Sequence, residues 1–66
     1  MPKTAKLDGK NIPYEDILQM QMRFVSDEKV MEIRYREFDP YHETVTLLPY
    51  EKGYELEKKI RKACNN

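Results

Sequence analysis

The sequence predicts an α+β fold: an antiparallel β-meander of three long strands, a short N-terminal hairpin, and a C-terminal helix that covers one face of the sheet. Two segments alternate apolar and polar residues with the period of two that is typical of half-buried strands. The last part of the chain instead places apolar residues at helical spacing. With 66 residues the chain forms a single domain, residues 1–66, near the lower size limit for a core that folds unaided.

The N-terminal arm, residues 1–13, contains the strong turn dipeptide Asp8-Gly9. This dipeptide predicts a short hairpin between residues 3–7 and 10–12. Pro13 then interrupts strand pairing, and it suits the first position of one helical turn in the segment PYEDI.

The β-meander is predicted over residues 18–50, where LQMQMRFV and KVMEIRYREF both alternate and are joined by the polar loop SDEK. A register that places Phe24 opposite Met31 aligns apolar side chains on one face. The same register places Arg23 opposite Glu32 on the other face, where opposite charges stabilise a cross-strand pair. Because this register gives favourable side-chain pairs on both faces of the sheet, it is the predicted one.

A second turn, DPYHE, leads to the third strand, TVTLLPY. Pro40 follows Asp39 as type I turns favour, so a type I turn is predicted here. Pairing Phe38 with Thr44 then completes the sheet. The predicted apolar face consists of Leu18, Met20, Met22, Phe24, Met31, Ile33, Tyr35, Val45 and Leu47.

The C-terminal helix is predicted over residues 53–64, because Gly53 weakens any earlier start. Its apolar stripe consists of Leu56, Ile60, Ala63 and Cys64. Since the predicted sheet has no other apolar cover, Leu56 and Ile60 are expected to pack against the middle of the sheet.

Composition excludes several classes of function. The 12 basic and 12 acidic residues balance, so no global field draws the protein to nucleic acid or to an anionic membrane. No apolar run approaches the length of a membrane span, and the N-terminus lacks the apolar region of a signal peptide. His42 and Cys64 are the only nitrogen or sulfur ligands of the usual kinds, so no metal and no cofactor are expected. With no catalytic motif present, the protein is predicted not to be an enzyme, and its location is predicted to be cytoplasmic.

The polar side of the predicted sheet is the candidate binding face, and it contains Gln19, Gln21, Arg23, Arg34, Arg36, Thr46 and Tyr50. Guanidinium groups and aromatic rings on a sheet can hold the phosphates and bases of a single strand. The same face can bind a protein partner, or it can simply be the solvated side of an open antiparallel sheet.

The stretch EIRYREFDPYHE, with VTLLPYEKGYELEKKI after it, resembles the positive cofactor four family of single-stranded-DNA-binding coactivators. Ile33-Arg34 matches a strand of that family, and Leu56 with Ile60 matches its helix. The resemblance implies curved strands followed by a helix, dimerisation through the helices, and DNA binding on the sheets.

The segment NIPYEDI, followed by strands and a terminal helix, is similar to small bacterial domains of the pleckstrin-homology-like type. Ile12, Tyr14 and Ile17 fit the element that precedes a strand in those domains. The resemblance implies an adaptor without catalysis, either as a reduced version of the fold or as one half of a dimeric barrel.

These observations favour a non-catalytic binding module, a protein-interaction or regulatory domain that acts as a homodimer. A dimer is expected because the core is small and because the third strand lies at an edge, with Leu48 and Tyr50 available for pairing. The alternative function is single-stranded nucleic-acid binding through Arg23, Arg34 and Arg36.

Overall fold

Five strands, one short turn of 3₁₀ helix and one α-helix follow each other along residues 3–64, the part of the chain that the computed structural model describes. Their bounds are β1 Thr4–Leu7, β2 Lys10–Pro13, the 3₁₀ turn Tyr14–Asp16, β3 Ile17–Val25, β4 Glu28–Glu37, β5 His42–Pro49 and α1 Tyr50–Cys64. β1 pairs with β2, and a separate antiparallel sheet has the order β3-β4-β5. The predicted α+β class, with its hairpin, meander and helix, is confirmed. Residues 1, 2, 65 and 66 of the predicted domain lie outside the described residues.

The turn between β3 and β4 is shorter than predicted. Ser26 and Asp27 form it alone, with φ angles of 49° and 66°. Left-handed values at both positions suit a two-residue turn whose twist matches that of the strands. Met22 therefore lies opposite Met31, and the predicted pairing of Phe24 with Met31 is wrong by two residues. An even shift leaves each side chain on its predicted face.

The pairing of β4 with β5 differs from the predicted register by three residues. Tyr35 lies opposite Thr44, whereas the predicted pairing of Phe38 with Thr44 would have placed Tyr35 opposite Leu47. An odd shift turns every side chain of β5 to the other face of the sheet. Val45 and Leu47, which were predicted in the core, are instead 49% and 46% exposed. The connection between β4 and β5, where a type I turn was predicted, has Asp39 at a φ of 68° and a cis peptide bond at Asp39–Pro40.

The three-stranded sheet consequently has two faces of different character. The inner face, which meets the helix and the N-terminal hairpin, consists of Met20, Met22, Phe24, Met31, Ile33, Tyr35, Thr44, Thr46 and Leu48. The outer face, on the opposite side, consists of Gln19, Gln21, Arg23, Val30, Glu32, Arg34, Arg36, Val45 and Leu47. A bulge at Leu18 interrupts the pairing at the beginning of β3.

The N-terminal hairpin supplies apolar cover that the sequence analysis assigned to the helix alone. Its turn residues Asp8 and Gly9 have φ angles of 54° and 76°, as a tight turn between strands requires. Three of its side chains are buried in one cluster with the middle of β4: Ala5, Leu7 and Ile12. The expectation that the sheet has no other apolar cover is therefore wrong.

The helix begins at Tyr50, three residues before the predicted start, and it contains Gly53 in its first turns. Gly53 is buried against Met31 of the inner face. A β-carbon added at this glycine would lie 2.6 Å from Cγ of Met31 and closer still to Cβ. The glycine thus permits a close approach of helix and sheet that any larger residue would prevent.

The apolar stripe of the helix is only partly used. Leu56 packs against the core as predicted, while Ile60 is half-buried and lies outside the cluster that Leu56 contacts. Cys64 is exposed, so its predicted place on a buried stripe is wrong. Within residues 3–64, no helix is both long enough and apolar enough to cross a lipid bilayer.

Candidate functional site

A row of hydrogen bonds crosses the outer face from β3 to β4. The Gln19 amide nitrogen donates to Oε1 of Gln21 over 3.3 Å, and the Gln21 amide donates to Oε2 of Glu32 over 3.2 Å. Arg23 donates to Oε1 of the same glutamate over 3.3 Å. The predicted contact between Arg23 and Glu32 is present, although the two residues are diagonal neighbours and not directly opposite. Because Glu32 balances the charge of Arg23, this part of the face presents mainly amide groups.

The other two arginines of the candidate face have different surroundings. Arg36 donates from Nε to Oδ1 of Asp16 over 3.0 Å, and this hydrogen bond is the main reason that the pKa of Arg36 is raised. Its guanidinium carbon also lies 5.6 Å from the ring centroid of Phe38. Arg34 lines a shallow groove together with Gln19, Gln21 and Glu32. Among residues 3–64, Arg34 makes no ion pair within 4.0 Å, so it is the arginine best placed to meet an external ligand.

Two residues of the predicted face lie on the other side of the sheet. The Thr46 hydroxyl donates to Oδ1 of Asp8 over 2.8 Å, which ties it to the N-terminal hairpin. Tyr50 packs against the core, with its ring stacked 5.9 Å from that of Tyr54 and with the Lys29 ammonium 4.1 Å from its centroid. The placement of Thr46 and Tyr50 beside the arginines is therefore wrong, because β5 presents Thr46 to the inner face and because Tyr50 begins α1.

Val45 and Leu47 lie on the outer face, whereas the prediction placed them on the apolar face. Val45 lies opposite Arg34, and Leu47 lies opposite Glu32. Val30, on the neighbouring strand, belongs to the same face and is buried. The sequence held one signal for this arrangement, the alternation of threonine and aliphatic residues in TVTLL, but that alternation fits either orientation of the strand. The outer face is thus amide-rich along β3 and aliphatic along β5.

A second polar cluster lies on the inner face, where the hairpin turn meets the sheet. Oδ2 of Asp8 accepts a hydrogen bond of 2.7 Å from the Tyr35 hydroxyl, and Oδ1 accepts the one from Thr46. These bonds, the one from Tyr35 first, hold the pKa of Asp8 below its ordinary value. Burial, followed by the bond to Asp8, raises the pKa of Tyr35. Both carboxylate oxygens of Asp8 accept hydrogen bonds from hydroxyl groups of the chain itself. The cluster therefore holds the hairpin against the sheet and is not a candidate ligand-binding site.

A third cluster surrounds Glu37 at the end of β4. Lys10 donates to its Oε1 over 2.9 Å, and Nε2 of His42 lies 3.2 Å from the same oxygen. The hydrogen bond from Lys10 is the main cause of the lowered pKa of Glu37. His42, the first residue of β5, is exposed. Within residues 3–64, no group of three or more histidine, cysteine or carboxylate side chains has the arrangement of a metal site.

The fold and the site together define a class: a small α+β domain whose three-stranded sheet is covered on one face and open on the other. Comparison of the chain with models of protein families, with curated proteins and with solved structures found no match. The open face and the edges of the sheet are therefore the features of the molecule that bear on its function.

Proposed function

We propose that this protein is a non-catalytic interaction module that acts as a homodimer and binds another protein through its outer face. The observation that supports this proposal most directly is the exposure of Val45 and Leu47 on the β5 side of that face. Aliphatic side chains beside polar groups on a flat, open surface are typical of sites where proteins associate.

A purely solvated face would have a different composition. The exposed side of an antiparallel sheet usually alternates polar residues outward, and β5 does the reverse by turning Val45 and Leu47 to solvent. Removing such side chains from water contributes about 25 cal/mol per Å² of apolar area, which gives the face a reason to be covered. The amide groups of Gln19 and Gln21 can supply hydrogen bonds at the rim, and Arg34 can supply a charge.

Binding without catalysis is proposed because the outer face contains no serine, cysteine or histidine. The resemblance to adaptor domains of the pleckstrin-homology-like type supports the same proposal. A cytoplasmic location is also part of it, since the single cysteine of the sequence, Cys64, is exposed as a thiol and suits a reducing compartment.

Nucleic-acid binding remains the alternative, but the geometry favours it less. Glu32 already balances Arg23, and Asp16 already balances Arg36, so the face carries little net positive charge to attract phosphates. Tyr50, which was expected to stack on a base, packs against the core on the inner face. Arg34 is the one member of the predicted trio without a carboxylate partner among residues 3–64.

A photo-crosslinking residue placed at position 47 tests the proposal in cells of the source organism. Leu47 lies on the outer face, and Lys58, exposed on the helix, is the matched control position. We expect one discrete protein to be crosslinked from position 47 and not from position 58. Identical crosslinks from both positions, or none from position 47, would contradict a partner site on this face.

The nucleic-acid alternative is tested separately by fluorescence anisotropy with a labelled single-stranded oligonucleotide at low and high salt. We expect no binding at low salt, where electrostatic association is strongest. Binding that weakens steeply with salt, and whose log–log slope becomes shallower by about 0.7 in Arg34→Ala, would favour the alternative instead.

A further inference from the structure

β3 is an edge strand that lacks the usual protection against pairing with another chain. It lies at one side of the sheet order β3-β4-β5, and it contains no proline or lysine between Ile17 and Val25. Its single charged residue, Arg23, is paired within the chain to Glu32. Natural edge strands are commonly blunted by proline, lysine or bulges. In β3 only the bulge at Leu18 gives such protection, and the strand is regular from residue 19 onward.

The inner face of β3 is also uncovered. The helix lies over β4 and β5, with Gly53 against Met31, and it reaches little of β3. Met22 and Phe24 are consequently 47% and 63% exposed although they share a face with the core. The opposite edge, β5, differs in both respects, since its inner residues meet the hairpin and the helix and its last residue is Pro49.

The geometry points to a second copy of this chain as the occupant of the β3 edge, paired antiparallel with its own β3 about a twofold axis at Gln21. This inference rests on the homodimer of the proposed function and specifies its interface. In a pair of antiparallel strands, a twofold axis can pass between any two directly opposite residues. Two copies of β3 related by such an axis can therefore form the backbone hydrogen bonds of a continuous sheet. The axis runs perpendicular to the sheet, and the two sheets therefore join into one of six strands with both helices on the same side.

The side chains of β3 are self-complementary in this register. Met20 lies opposite the partner's Met22 on the inner face, and Phe24 lies opposite the partner's bulge at Leu18, so apolar residues of the two chains meet. Gln19 lies opposite the partner's Arg23 on the outer face, where the amide oxygen can accept from the guanidinium group. No like charges face each other. A displacement of one strand by one residue would place apolar side chains opposite polar ones. Among the registers that remain, the axis at Gln21, the midpoint of Ile17–Val25, pairs the greatest length of β3.

A cysteine placed on the proposed axis tests this register. In a Cys64→Ser background, Gln21→Cys would lie opposite its own copy with Cα atoms about 4.5–5.5 Å apart, within the range of a disulfide. Gln19→Cys is the matched control, because two copies of residue 19 would be four residues out of register and about 14 Å apart. After air oxidation we expect a disulfide-linked dimer from Gln21→Cys and none from Gln19→Cys, as judged on a non-reducing gel.

Molar masses from light scattering distinguish a protein that does not dimerise from one that dimerises through a different interface. We expect twice the mass of one chain for the wild type and for Val45→Lys, and a single-chain mass for Phe24→Lys, all three folded by circular dichroism. A monomeric wild type at every concentration would overturn both the homodimer and this interface. A dimeric wild type combined with a dimeric Phe24→Lys and no Gln21→Cys crosslink would overturn the interface alone.

Discussion

The hydroxyl of Tyr35 donates a hydrogen bond of 2.7 Å to the carboxylate of Asp8, across 27 residues of chain. Tyr35 is fully buried in the middle of β4, and Asp8 occupies the turn of the N-terminal hairpin. Because the hairpin shares no strand pairing with the larger sheet, this bond and the one from Thr46 are specific links between the two sheets. They determine where the hairpin lies on the inner face, while apolar packing holds it there.

Replacement of Asp8 by asparagine is expected to lower the free energy of unfolding by about 1–3 kcal/mol. The amide retains the shape of the side chain but is neutral and has only one acceptor oxygen, so the hydroxyls of Tyr35 and Thr46 lose their hydrogen bonds to a charged acceptor. Urea denaturation measures the change. Asp27→Asn is the matched control, since Asp27 is an exposed turn residue that also has a left-handed φ, and it should change stability by less than about 0.5 kcal/mol. Equal effects of the two substitutions would contradict the assigned role of Asp8.

Stability is expected to fall in acid, with Asp8 as one of the groups responsible. Its pKa in the folded protein is lowered, chiefly by the hydrogen bond from Tyr35, relative to an ordinary value of about 3.9 in the unfolded chain. The stabilisation that results is therefore present above pH 4 and is lost as the pH falls through the folded-state pKa. Glu37 contributes to the pH dependence of stability in the same direction, because the hydrogen bond from Lys10 lowers the pKa of Glu37 as well.

Melting temperatures between pH 7 and pH 2 measure this dependence. The Asp8→Asn variant should lose less stability over the acid range than the wild type, because one of the two groups no longer titrates. A variant whose acid dependence parallels that of the wild type would show that Asp8 has a similar pKa in the folded and unfolded chains.

Replacement of Gly53 by alanine is expected to destabilise the protein, although alanine is the better helix former by roughly 1 kcal/mol. The added methyl group would collide with the side chain of Met31, and overpacking of this kind typically costs about 1–3 kcal/mol. The thermal melt decides which effect is larger. Lys58→Ala, at an exposed position of the same helix, is the control and should be neutral. A higher melting temperature for Gly53→Ala would mean that the helix can move away from β4 at little cost.

Truncation of Leu7 is expected to destabilise more than truncation of Ile60. Leu7 is fully buried between the hairpin and β4, so Leu7→Ala should cost about 2–5 kcal/mol. Ile60 is half-buried at the margin of the helix contact, and Ile60→Ala should cost less. Chemical denaturation of the two variants provides the comparison. The opposite order would indicate that the helix is the principal cover of the sheet.

The elements of the fold could be predicted because their signals are local. Alternation in LQMQMRFV and KVMEIRYREF, the dipeptide Asp8-Gly9, and the helical spacing around Leu56 each depend on a few neighbouring residues. Pairing depends instead on turn geometry, and the polar residues of SDEK are compatible with turns of several lengths. The two-residue turn at Ser26 and Asp27 requires left-handed φ angles at both positions, and neither serine nor aspartate predicts that conformation clearly.

The candidate face was predicted correctly only in part, because its residues depend on the strand register. Gln19, Gln21, Arg23 and Arg34 share the outer face because the shift between β3 and β4 is even. Thr46 was misplaced because the shift between β4 and β5 is odd, and a single odd shift inverts a whole strand. The attachment of Thr46 to Asp8 joins residues 38 apart, and no local pattern could have indicated it.

β4 pairs with both of its neighbours, contributes the centre of the core and receives both the hairpin and the helix. Its two strand pairings close loops of only two and four residues, at positions 26–27 and 38–41, and such short closures are fast and cost little chain entropy. The bonds of Asp8 close far longer segments. Residues 4–13 precede β4 and β5 in the sequence, yet the surface on which they dock is formed by those later strands. We therefore expect folding of this domain to start at the β3–β4–β5 meander, with the hairpin and the helix docking afterwards.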